Sequence, residues 1–346
     1  MSQGFVFILA LLLSPSALAQ QYPSAAVTIV VPYPLSGPAD IHGSSRMTKT
    51  YRMMAANAPP TITDTLGRIV QQAIAAESKH AVVLERQPGG GTTRGARYVA
   101  RAVANGHTLL LASNETMVLK PHYAAGAGYD LTQQFELVAP LATMPFVLMT
   151  HRGMPFNTLE RLIAYIKVRP GDVNYASSGE GSTGHLAGEL LRRTAGIDML
   201  HVSYNGGLAA LNDLAKGQIS LMFAALPLAL PYQSNELLRT VAIASSRRNE
   251  LLPHIPTLLE SGLQGADVAA WFGLFAPKGL STSTVHWLNE RIVQSVNEMS
   301  THNTLLALGL KPERSTLSEF GARIFTENER WSPMLKAARN AGRKLL

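Results

Sequence analysis

Short apolar runs alternate with longer amphipathic ones along most of this chain, and few folds accept that pattern. Residues 27–31, 81–84, 108–112, 146–150, 173–176, 199–202, 219–223 and 240–244 each form a brief apolar run bounded by Gly, Pro, Asn or Ser, and each reads as a buried strand. Between them, Leu159, Leu162, Ile163 and Ile166 fall on one helical face, and Asn157 with Glu160 has capping-box spacing. Val285, Leu288, Ile292, Val293, Val296 and Met299 make a second, longer stripe. Strands alternating with helices through short connections build an α/β fold, with mixed, mostly parallel sheets flanked by helices. In such sheets ligands bind beyond the carboxyl ends of the strands, so the loops just after strands are where function is expected.

With 346 residues the chain exceeds one ordinary domain. Two lobes are expected, one of residues 22–120 plus 245–346 and the other of 121–244, because polar loops come from both halves. Ahead of them, residues 5–13 form an unbroken apolar run too short to cross a bilayer. Ser14, Pro15 and then Ala17-Leu18-Ala19, a small-x-small site, follow it. Although no Lys or Arg precedes the run, the template is a signal peptide over residues 1–19, cleaved after Ala19. The expectation is an exported, soluble protein of a bacterial periplasm, not itself embedded in a membrane. The chain has no cysteine, so disulfides, thiol nucleophiles, thiolate metal sites and a lipidated cysteine at the cleavage site are all excluded. Its net charge of +7 is scattered, without the basic run of a nucleic-acid-binding tail. It favours an anionic small molecule and gives no reason to expect nucleic acid.

Four loops follow predicted strands. In the first, Ser36, Gly37, Pro38 and Asp40 offer a hydroxyl, close backbone approach and a carboxylate; a Pro-rich turn with Asp40 as a helix cap reads equally well. The second, Ser113-Asn114-Glu115-Thr116, is ordinary strand-end polarity taken alone. The third, Ser177-Ser178-Gly179-Glu180-Gly181-Ser182-Thr183-Gly184, opens a helix with Leu186, Leu190 and Leu191 on its core face. Such a loop presents backbone N–H groups, hydroxyls and the positive end of the helix dipole to a carboxylate or phosphate, unless Ser182 is simply a cap. His185 on that helix serves as a packing or capping residue as readily as a ligand contact. The fourth, Tyr204-Asn205-Gly206-Gly207, ends a strand and opens another helix.

Enzyme templates fit poorly. In GEGSTG, Glu180 occupies the position where a nucleophile elbow needs glycine, and PGGGTTRG lacks the ending of a phosphate-binding Walker loop and any dinucleotide fingerprint. No metal-binding histidine spacing occurs, and no cofactor is expected. Trp271-Phe272 reads as core rather than as a ligand platform.

The chain resembles the Bug family, the TctC-like solute receptors of tripartite tricarboxylate transporters. The resemblance rests on VPYPLSGPAD, RQPGGGTTRGARYVARAVANGHTLLLAS, VNYASSGEGSTGHLAGELL, HVSYNGGLAALNDLAKGQISLMF, IPTLLESGL and AWFGLFAPKG, in that order. It implies a two-lobed, Venus-flytrap periplasmic-binding-protein fold, monomeric, that captures a small carboxylate without catalysis. The carboxylate is passed to membrane permease subunits or a sensor kinase; a hydrolase or lyase on a similar scaffold is the alternative. Carried over residue by residue, the resemblance places Ser36, Gly37, Pro38, Asp40, Ser113, Asn114, Ser177, Ser178, Gly181, Ser182, Thr183, His185, Tyr204 and Asn205 at the cleft. Three departures bear on the ligand. Pro38 stands where the family has a second glycine, Ala224 where it often has Asp, and residues 41–63, interrupted by Pro59-Pro60, are longer than usual.

Overall fold

The computed structural model describes residues 22–33, 61–123 and 127–340. The expected signal peptide, and Ser36, Gly37, Pro38 and Asp40, lie outside the described residues. Among the described residues, ten strands form one mixed sheet: β1 Val27–Val31, β2 Val82–Arg86, β3 Thr108–Ser113, β4 Phe135–His151, β5 Asn174–Ser177, β6 Leu200–Ser203, β7 Leu221–Ala225, β8 Leu238–Ile243, β9 Ala269–Pro277 and β10 Lys311–Pro312. Their order is β2-β1-β3-β9-β4-β7-β5-β6, with β8 and β10 also paired to β4. The two ends, β2-β1-β3 and β7-β5-β6, are parallel, as strand–helix alternation predicts. The middle is antiparallel, because β9 lies between β3 and β4, and β4 then pairs with β7 and β8.

Strand β4 joins the two ends. Residues 135–145 pair with β9, and from Phe146 onward the partners become β7 and β8. Pro140 and Pro145 lack an N–H for the ladder. A register shift falls between Pro140 and Ala142, and the exchange of partners follows Pro145. These prolines are also why only 146–150 reads as a strand in the sequence. Strand β9 is missed as well, since its continuous apolar run shows no period and Gly273 interrupts it.

The main helices are α1 Ile62–Ala75, α2 Thr93–Ala100, α3 Leu159–Lys167, α4 Thr183–Ala195, α5 Gly207–Ala215, α6 Thr282–Asn297, α7 Met299–Ala307 and α8 Leu317–Asn340. A capping box between Thr61 and Asp64 starts α1, which buries Leu66, Ile69, Val70, Ala73 and Ile74. Helix α3 is capped one residue later than expected: Thr158, not Asn157, accepts from the Arg161 N–H. Helix α4 starts at its Ser182 cap and stops at Gly196, which takes the left-handed conformation. It lies close on the sheet. A Cβ on Gly184 would sit 2.7 Å from the Phe223 carbonyl oxygen, and one on Gly188 would sit 2.0 Å from the Tyr175 ring. Tyr175, Phe223, Trp271, Phe275 and Phe320 are among the largest fully buried side chains, so the core follows the sheet through both ends. Among the described residues, no helix is long and apolar enough to cross a membrane.

Candidate functional site

A cavity of about 90 Å³ opens at the carboxyl ends of the parallel strands, where α/β sheets hold ligands. Tyr33 after β1, Ser113 at the end of β3 and Glu115 after it, Ser178 after β5 and Gly207 at the start of α5 reach it, together with Thr61, Ile62 and Thr63 from the start of α1. Its apolar wall is Met144 and Phe146 of β4, Met222, Phe223 and Ala225 of β7, Leu228, and Ala270 and Phe272 of β9.

Hydroxyls hold the first-end loops. Tyr33 donates to Ser113 Oγ at 2.8 Å and accepts from the Ser113 N–H at 2.9 Å. It also lies 3.3 Å from Thr116 Oγ1, which meets Thr92 Oγ1 at 2.7 Å. Burial, partly offset by these bonds, pushes the Tyr33 hydroxyl up to about 12, so it stays protonated and can keep donating.

The loop before α4 is mostly satisfied from within. Ser177 Oγ donates to the Gly179 carbonyl, accepts from the Gly179 N–H and lies 2.7 Å from His201 Nε2. The Gly181 N–H donates to His185 Nδ1, and the His185 N–H to Ser182 Oγ. The His185 and His201 rings stack 3.8 Å apart, 4° from parallel. Burial, and then His185, lowers His201 to about 3, so its imidazole is neutral at physiological pH. The N–H of Thr183, first residue of α4, is not open to solvent either: it donates to Glu115 Oε1 at 2.7 Å. A carboxylate of the protein itself thus sits at the helix N-terminus, where the dipole favours one. Helix α5 differs. Its N-cap is Gly206, with φ 109° and no side-chain bond, and Gly207 beside it lines the cavity.

Of the residues expected at the cleft, Ser113 and Ser178 line this cavity. Ser177, Gly181, Ser182 and His185 build the loop behind it. Asn114 and Thr183 border a different cavity, on the opposite face of β4 and β9. Tyr204 bonds Asp213 through its hydroxyl, Asn205 is exposed, and neither lines either cavity. The aromatic pair on β9 splits by strand alternation. Trp271 is buried and donates to Glu327, as core, while Phe272, buried in the core as expected, also presents its ring to the cavity, with the Tyr33 ring edge-on at 6.5 Å. Tyr33, Glu115 and the β4, β7 and β9 wall were not singled out from sequence. The strand-end rule could have found Tyr33 and Glu115, but the wall needs the register. Ala224 is buried in β7, and the helical turn after it, Leu226–Ala229, begins without a side-chain cap, matching the absent Asp. Glu115 is the one charged residue among the described residues lining the cavity.

Residues 66–339 match the model of the tripartite tricarboxylate transporter family receptor. Protein BugT of Bordetella pertussis is 27% identical over 341 residues, covering 98% of this chain and 96% of that one. A solved R. palustris protein with adipate is similar at TM-score 0.72 and 27% identity, over 93% of this chain and 98% of that one. MatC from Rhodopseudomonas palustris, with bound malate, gives TM-score 0.70 and 27% identity, over 91% of this chain and all of that one, a coverage of 100%.

Proposed function

The chain belongs to the tripartite tricarboxylate transporter receptor family, and from that premise we propose that it captures a small monocarboxylate with an apolar body in the bacterial periplasm. That family and this fold are those of substrate-binding receptors, not of enzymes. The proposal has two lobes closing on the cavity: β1–β3, β9 and the first part of β4 in one, β5–β8 and the end of β4 in the other. The cargo then passes to membrane permease subunits or to a sensor.

What carries the reading is the charge pattern of the cavity. Its wall is apolar; among the described residues no basic side chain lines it, and the one charged side chain that does, Glu115, already accepts the Thr183 amide. The uncapped start of α5 at Gly207 and the Ser178 hydroxyl remain to receive the ligand's carboxylate. Phe146, Phe223, Leu228 and Phe272 receive its hydrocarbon body. A second ligand carboxylate near Glu115 would meet like charge in an apolar surround. The related proteins described with adipate and malate support a carboxylate ligand in general; the monocarboxylate preference comes from Glu115.

Native mass spectrometry of gently purified protein, followed by calorimetric titration with hexanoate, adipate and malate, tests this. Hexanoate-like monocarboxylates are expected to co-purify or to bind more tightly than the diacids. A co-purified dicarboxylate, or turnover of any bound acid, overturns the reading.

A further inference from the structure

The second cavity, about 670 Å³, lies behind the strands that carry the first. Alternation along β4 sends Met144 and Phe146 to the front cavity and Thr143 and Pro145 to the back. On β9, Ala270 faces front and Ala269 back; at the end of β3 and just after it, Ser113 and Glu115 face front and Asn114 back. Two polar side chains lie in the buried part of this rear cavity, beside the apolar Leu186, Ala244, Val268 and Trp331. Asn114, 3% exposed, donates through Nδ2 to the Ala269 carbonyl, and its Oδ1 has no partner. Thr183, fully buried, has no partner for its Oγ1. Buried polar atoms are rarely left in that state, because each loses its bonds to water on burial.

The more open side of the cavity is basic. Arg323 is held by Glu313 and Glu327, Arg248 by Glu260, and Arg330 by the backbone carbonyls of Gly265 and Asp267. Arg247 and Lys311, both exposed, have no ion-pair partner among the described residues. We propose that this rear cavity is a second ligand site, for a small carboxylate that also carries hydroxyl groups. Hydroxyls donate to Asn114 Oδ1 and exchange bonds with Thr183 Oγ1, and the carboxylate meets Arg247 and Lys311. The volume lies in the range of small-molecule sites. This assignment does not depend on the identity of the front ligand.

The test is calorimetric titration of the intact mature chain with gluconate, with hexanoate (charge without hydroxyls) and sorbitol (hydroxyls without charge) as competitors. Gluconate is expected to bind one to one and to weaken as salt rises, with neither competitor displacing it. The Arg247→Ala, Lys311→Ala double variant should bind it at least about tenfold more weakly. Thr183→Val keeps the N–H that bonds Glu115 and removes only the unpartnered hydroxyl, so it should also weaken gluconate about tenfold, with no loss of thermal stability. Absence of gluconate binding overturns the proposal. So does binding that both variants leave unchanged, since that would put gluconate elsewhere.

Discussion

At the scale of single residues, His201 carries the clearest pH signature. Its folded value, about 3, lies below the ordinary 6.5, because burial and the stacked His185 disfavour the imidazolium. Between those two values the unfolded chain binds a proton that the folded chain does not, so stability is present above pH 6.5 and is lost as pH falls towards 3. Denaturant melts at a series of pH values should show this decline. In His201→Gln, whose side-chain amide can still donate to Ser177 Oγ, the decline over that window should be shallower. An identical profile in the variant would mean that other groups carry the acid sensitivity. Residue chemistry of this kind is only partly legible in the sequence. Ser113 and Ser178, which the family resemblance placed at the cleft, line the cavity. His201 sits on a strand, and its significance appears only when β6 is set beside β5 and faces α4.

At the scale of the element, α4 shows which of two readings of its first turn holds. Ser182 accepts the His185 N–H and borders neither cavity, so it acts as a cap. Ser182→Ala is expected to cost about 1 kcal/mol of stability and leave ligand affinity unchanged, measured by thermal melts and calorimetry. Gly188→Ala should cost more, roughly 1–3 kcal/mol, because the added Cβ meets the buried Tyr175 ring and not a movable surface chain. A Gly188→Ala protein as stable as wild type would mean that the helix can lift off the sheet without penalty. The parallel ends of the sheet were legible because their strands are short, apolar and separated by turn residues. Residues 135–145 and β9 were not. Prolines hide one and aperiodicity the other, and neither local signal reports that the two pair with each other. The same blindness extends to the site. Register decides that Phe272 faces the cavity while Trp271 goes to the core, and no property of the dipeptide itself does so.

At the scale of the molecule, β4 spans both ends of the sheet, and the Glu115 side chain bridges them at the cavity. Glu115 belongs to the segment that follows β3, whereas Thr183 begins a helix packed on β5 and β7; their 2.7 Å bond crosses from one end to the other. A charge-assisted bond of this type contributes about 1.5–3 kcal/mol, enough to shift an open–closed balance by a factor of ten or more. The carboxylate of Glu115 therefore holds the two ends together as a ligand's carboxylate would. Glu115→Ala removes it without adding bulk. Small-angle X-ray scattering of the ligand-free variant should then give a larger radius of gyration than wild type, and a bound monocarboxylate should reverse the expansion. The same substitution removes the like charge that disfavours diacids, so adipate affinity should rise about tenfold relative to hexanoate. Unchanged scattering would show that packing alone holds the ends together. Unchanged diacid discrimination would move the source of selectivity away from Glu115.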